Sequence, residues 1–181
     1  MRAFVAIDMP EPVRDALEAV QAGLTVGRLA DPDTLHLTLA FLGEQPESVL
    51  AELHGQLSGL AAPRFELRLQ GLGSFGSRAP SVIWAGVAPL PALAELRDKV
   101  RGAVRRAGIE LPRERFRPHV TLARFRRGMR PEAVLAVQRF VAENAGFAAP
   151  AFTVERVSLF QSTLRPDGPL HEVLAEYPLD G

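Results

Sequence analysis

Two of the four histidines in this 181-residue chain head the same short pattern, His36-Leu37-Thr38-Leu39 and His119-Val120-Thr121-Leu122, about 83 positions apart. Threonine is scarce in the sequence, so its recurrence two residues after each of these histidines stands above chance, whereas one copy would carry little. Both copies lie in runs that read as strands, TLHLTLAFL from Thr34 to Leu42 and PHVTLARF from Pro118 to Phe125. Side chains alternate along a strand, so His and Thr share a face while Leu37, Leu39, Val120 and Leu122 turn the other way, toward a core. Each copy therefore presents an imidazole beside a hydroxyl. On neighbouring strands the two copies would form a pair of imidazoles flanked by two hydroxyl donors, suited to holding a phosphate while one ring removes a proton and the other supplies one. Histidine serves both purposes because its unperturbed pKa of about 6.5 lets neutral and protonated rings coexist near neutral pH.

Paired histidines also bind zinc, but such a site wants a third protein ligand. The chain has no cysteine and no HExxH, and threonine occupies the i+2 positions, so neither a metal nor a cofactor is expected. His54 falls on the flank of a Leu50, Leu53, Leu57, Leu60 stripe and reads as a helix-surface residue. His171 borders the pocket on one reading and is structural on the other, the second being favoured. The run Gly71-Leu72-Gly73-Ser74-Phe75-Gly76 superficially suits a phosphate loop, but no Lys-Ser or Lys-Thr follows and no helix opens there, so it reads as a flexible strand end or turn.

Four segments carry a family resemblance: MRAFVAIDMPEPVRDAL at the start, DTLHLTLAFLGE, FRPHVTLARF, and VSLFQSTLRPDGPLHEVLAEYPL at the end. Together they resemble the 2H phosphoesterases, in the bacterial and archaeal branch called RNA 2′,3′-cyclic phosphodiesterase or 2′-5′ RNA ligase. The likeness runs nearly end to end. It departs at Gly27 to Asp31, which lacks the Trp usual before the first motif, and at His171, where a Tyr is common after Gly-Pro. The resemblance implies metal-free hydrolysis of an RNA 2′,3′-cyclic phosphate to a 2′-phosphate, with His36 and His119 as acid and base in an unassigned order. It also implies weak reversible 2′-5′ ligation.

Thr38 and Thr121 would bind the phosphate, and the resemblance assigns the clamping of that phosphate to Arg124. Strand parity objects: an odd offset of five residues puts Arg124 on the face opposite His119 unless the strand ends, twists or bulges near Ala123. Phe41 is a candidate for stacking on a base, with core packing an equal alternative, and parity likewise separates it from His36. Other substrates stay open within the superfamily, such as a cyclic phosphate of ADP-ribose or a 2′-5′-linked oligonucleotide. Outside catalysis, so does a module that binds RNA ends without turnover.

These side chains must be held by a fold, and the rest of the chain supplies one. At 47% apolar content and 181 residues the chain can bury a core, and residues 1–181 read as a single domain. Pro10 and Pro12 open a helix to about Leu24, Pro46 one to about Leu60, Pro89 to Pro91 one to about Ala107, and Pro131 one to about Asn144. Strands are expected at Arg2–Ile7, Leu35–Leu42, Arg64–Leu72, Val82–Ala88, His119–Phe125, Thr153–Gln161 and His171–Pro178. The expected class is α+β: two pseudo-symmetric lobes whose antiparallel-rich sheets face a central cleft, with helices outside.

Net charge is zero, which argues against a protein that coats long nucleic acid by its overall field. The charge is nevertheless uneven: arginines crowd the stretch from Arg97 to Arg130 around the second motif, where most read as solvated surface and a minority as an electropositive rim. No run of apolar residues is long enough to span a membrane, and Asp8 with nearby prolines interrupts any secretory leader. The expected setting is the cytoplasm, the expected state a monomer, and the expected partners RNA 3′ ends or small cyclic nucleotides, with no membrane.

Overall fold

The computed structural model describes residues 1–180, and it contains ten strands and four α-helices. In chain order these are β1 (Arg2–Asp8), α1 (Glu11–Gln21), β2 (Arg28–Leu29), β3 (His36–Glu44), α2 (Glu47–Ser58), β4 (Phe65–Leu67), β5 (Leu69–Phe75), β6 (Val82–Val87), α3 (Pro91–Arg106), β7 (His119–Arg124), α4 (Pro131–Glu143), β8 (Phe152–Val154), β9 (Arg156–Arg165) and β10 (Gly168–Pro178). The helices begin where proline allows. Pro91 and Pro131 are the first residues of α3 and α4, Pro12 is the second of α1, and Pro46 caps α2, all places where a missing N–H costs nothing.

The main sheet runs in the order β10-β9-β1-β3-β7-β6-β5, with β2 added to β7, and every pairing in it is antiparallel. The α+β class follows, since the helices cover a sheet they do not interleave as parallel crossovers. The two motif strands are central neighbours, and β3 meets β7 at one register position, Leu37 opposite Val120. On one side of this junction lie β1, β9 and β10; on the other lie β2, β6 and β5. The core-facing residues of the motifs are buried as alternation requires: Leu37 and Val120 are 0% exposed, and Leu39 and Leu122 nearly so. The α2 stripe is buried at Leu50, Leu53 and Leu57, and His54 lies exposed beside it with its Nδ1 3.0 Å from the Tyr177 hydroxyl.

Three local features differ from the sequence pattern. The expected strand Arg64–Leu72 breaks at Arg68 into β4, which pairs with β8, and β5, which pairs with β6. The glycine-rich run is ordered strand: β5 continues to Phe75, with Gly73 opposite Trp84. A Cβ at Gly73 would collide with the Trp84 indole, so the missing side chain is what lets the ring lie across the strand. Finally, Arg28 and Leu29 form the two-residue strand β2 against Arg124 and Ala123. Among the described residues, no helix is long and apolar enough to cross a membrane.

Candidate active site

Antiparallel register decides which motif residues meet. With Leu37 opposite Val120, one step along each strand sets His36 beside Thr121 and Thr38 beside His119. The cavities agree: His36 and Thr121 line one of about 600 Å³, and Thr38 and His119 line one of about 500 Å³. All four side chains are half-buried on the face opposite the core-facing Leu37 and Val120.

Both imidazoles are held in the same way. His36 Nδ1 lies 2.7 Å from the carbonyl oxygen of Thr34, and His119 Nδ1 lies 2.7 Å from that of Arg117, two residues upstream in each case. A carbonyl oxygen only accepts, so Nδ1 carries the proton and donates it, which leaves Nε2 as the free nitrogen of each neutral ring. Each ring also rests on an aromatic. Phe4 stacks on His36 at a centroid distance of 4.6 Å, and Phe75 meets His119 edge-on at 5.0 Å. Rotation of either imidazole would break a hydrogen bond and a ring contact together, so the tautomer and the orientation are fixed before any substrate arrives.

Burial pushes the His36 imidazole down from 6.5 to about 4, opposed by its hydrogen bond to Thr34 and reinforced by positive charge on His171, Arg124 and His119. His36 is therefore neutral through the neutral pH range in the unliganded protein. Burial lowers His171 as well.

Arg124 reaches the site through a bulge. Along β7 the partners in β6 run Thr121 with Trp84 and then Ala123 with Ile83, so Leu122 is an extra residue. Leu122 and Ala123 are consecutively buried, and Arg124 returns to the face of Thr121, where it lines the His36 cavity. The same device recurs in β3. Its partners in β1 run Thr38 with Ala6 and then Ala40 with Val5, so Leu39 is extra, Leu39 and Ala40 are both buried, and Phe41 emerges 50% exposed on the site face. The parity argument against Phe41 is overturned by this bulge: the ring lines the Thr38 and His119 cavity, with the Arg2 guanidinium 4.8 Å from its centroid.

His171 is not merely structural. Its ring stands 5.2 Å from that of His36 and 4.9 Å from that of Phe4, both edge-on, and it lines the His36 cavity. Sequence reasoning missed Phe4, Phe75, Arg28 and Arg165. Phe4 is separated from its histidine by 32 residues and Phe75 from its own by 44, and only strand pairing brings them together. Arg28 and Arg165 line the cavity beside Arg124, yet neither lies near a motif. Among the described residues, no three His, Asp or Glu side chains gather as a metal-ligand set.

The chain is similar to known proteins along most of their length. The family model of the 2′-5′ RNA ligase superfamily matches residues 9–165. The RNA 2′,3′-cyclic phosphodiesterase of Thermus thermophilus is 35% identical, over 100% of this chain and 91% of its own, and that of Archaeoglobus fulgidus is 30% identical, over 96% and 98%. Among solved structures, TT0787 of Thermus thermophilus superposes with a TM-score of 0.80 at 31% identity, covering 98% of this chain and 97% of its own. LigT of E. coli in its apo form superposes at 0.76 and 27% identity, over 99% and 98%, and LigT is also solved with 3′-AMP and with phosphate.

Proposed function

The chain is a member of the 2′-5′ RNA ligase superfamily, and from that premise we propose that it hydrolyses RNA 2′,3′-cyclic phosphate ends to 2′-phosphates by metal-free acid-base catalysis at His36 and His119. One observation carries this reading: two imidazoles, each pinned through Nδ1 by the carbonyl two residues upstream, sit on neighbouring strands whose register sets Thr121 beside His36 and Thr38 beside His119.

Water attacks phosphorus in line with the departing ribose O3′. One Nε2 takes the proton from water as the new P–O bond forms, and the other, protonated, delivers its proton to O3′ as that bond breaks. Thr38, Thr121 and the Arg124 guanidinium bind the non-bridging oxygens, where negative charge builds. Phe41 stacks on the terminal base at the His119 end of the cleft. An alcohol in place of water gives 2′-5′ ligation through the same groups, and hydrolysis dominates because water is in vast excess. The halves flanking the Leu37–Val120 junction act as two similar lobes of one domain, and the enzyme works as a cytoplasmic monomer without a cofactor.

The test is incubation with 2′,3′-cyclic AMP in EDTA, with the product resolved as the 2′- or 3′-monophosphate. The expected product is 2′-AMP. Binding without turnover would leave only an RNA-end-binding module.

A further inference from the structure

His171 has no hydrogen-bond partner among the described residues, whereas Nδ1 of His36, His54 and His119 each lies at an oxygen. Its strand, β10, is three places from β3 in the sheet order, yet the His171 ring stands edge-on to His36 at 5.2 Å and edge-on to Phe4 at 4.9 Å. This breaks the likeness between the two motifs. The rings around His119 are Phe75 and Trp84, neither of which ionises near neutral pH; those around His36 are Phe4, Phe160 and His171, and the last can carry a charge. Other charged groups face His171 from several elements. Arg28, Arg124 and Arg165 share its cavity with Asp31 and Asp167, and a guanidinium supplies a constant field, not one that switches. A smaller cavity of about 340 Å³ sets it beside Asp8, Arg14, Asp33 and Arg156. There Arg14 holds Asp33 at 3.7 Å and Arg156 holds Glu176 of β10 at 3.4 Å, while burial raises the Asp8 carboxyl against the pull of Arg156. Glu172, next to His171 along β10, is exposed on the opposite face. His36 is the more deeply buried of the two rings, so as pH falls His171 takes its proton first and meets His36 as a cation.

We propose that His171 is a positioning residue for the acid-base pair: its imidazolium, set against His36 by the β9–β10 hairpin, keeps a second proton out of the pair, so turnover continues to lower pH than the two motif histidines alone would permit. This rests on the hydrolase reading above. On that reading turnover uses the singly protonated pair and stops on the acidic side once both rings hold a proton. A positive charge at the 5.2 Å separation of the rings opposes that last proton, whichever part His36 plays in the reaction. The linkage is mutual, because His36 disfavours a proton on His171 by the same amount as His171 disfavours one on His36. A ring that merely filled space would show no such equality. His171 is also a position at which the chain departs from the usual family pattern.

The experiment follows the ring Cε1–H signals of the intact protein, carrying isotope-labelled histidine, by NMR across the pH range in which circular dichroism shows it folded. The pH profile of kcat/KM for 2′,3′-cyclic AMP is measured on the same preparations. His171→Phe, which keeps a ring against Phe4 and removes the charge, should raise the His36 midpoint by roughly half a pH unit or more, the value for two unit charges about 5 Å apart even in water-like surroundings. The acidic limb of kcat/KM should move up with it. His36→Phe should raise the His171 midpoint by an equal shift. His171→Gln, polar and uncharged, repeats the test if phenylalanine disturbs the fold. Asp8→Asn removes the neighbouring carboxyl that burial moves, and the shift caused by His171→Phe should persist in its presence. An unmoved His36 midpoint in folded His171→Phe and His171→Gln overturns the proposal, as does a shift that His36→Phe does not return or that Asp8→Asn abolishes. An acidic limb that stays in place while the midpoint moves overturns it equally. Reciprocal shifts in a protein that fails to hydrolyse 2′,3′-cyclic AMP support the coupling of the two rings and overturn the hydrolase reading, and with it the claim on turnover.

Discussion

Leu37 and Val120 face each other where β3 meets β7, both without solvent exposure, and this pairing sets the site. Either residue is the midpoint of its motif, so an antiparallel pairing there crosses the motifs, histidine against threonine on both sides. The arrangement is close to two-fold. It breaks five residues beyond each histidine, where matching bulges deliver an aromatic, Phe41, at one end and a cation, Arg124, at the other. A symmetric pair of imidazoles thereby acquires a direction.

Leu37→Ala should cost about 2–5 kcal/mol of stability, the usual range for deleting a fully buried leucine side chain. Chemical denaturation measures this. Residual activity should also fall in the folded fraction, because the lost side chain holds the crossing together.

His36→Ala and His119→Ala should each lower hydrolysis of 2′,3′-cyclic AMP by roughly 10² to 10⁴ with the fold retained, the scale of one acid-base group. Rates beside thermal melts separate the effects. Near-normal turnover in either variant would sink the two-histidine mechanism.

The low pKa of His36 has two consequences for pH. An unfolded His36 binds its proton near 6.5 and the folded one near 4, so between those values the unfolded chain holds the extra proton. Stability should therefore fall as pH falls through that window, and His36→Ala should flatten the slope in melts taken from pH 7 to 4. Turnover should trace a bell, and the acidic limb of kcat/KM should lie nearer 4 than 6.5. This holds whichever histidine is the acid, because both assignments use the singly protonated pair. An acidic limb unmoved in the residual activity of His36→Ala would contradict it.

The two ends of the cleft should respond differently to truncation. Arg124→Ala should lower kcat/KM by roughly 10² to 10³, with only partial recovery in Arg124→Lys, since an ammonium cannot make two parallel bonds to a phosphate. Phe41→Ala should raise KM for a cyclic nucleotide by roughly tenfold, the value of one stacked base. Equal effects on kcat in both would argue against separate phosphate and base ends.

Activity should survive exhaustive chelation. Rates before and after dialysis against EDTA decide this, and loss of activity rescued by added zinc would show a metal-dependent hydrolase.

His36, Thr38, His119 and Thr121 are legible from the chain alone because two local rules suffice: strand alternation puts each pair on one face, and the pattern occurs twice. The four helices are legible because proline and leucine spacing are local signals too. Arg124 and Phe41 are not, since period two sends both to the wrong face, and only the extra residues at Leu122 and Leu39 return them. A bulge belongs to a pair of strands, being a mismatch in count against a partner, so one strand's sequence does not contain it. The same holds for Phe4 under His36, Phe75 against His119, and His171 beside the cavity, each brought in by a strand distant along the chain. Residue type and spacing determine which chemical groups this protein has to offer; strand register, which depends on two segments at once, decides which of them share a cavity.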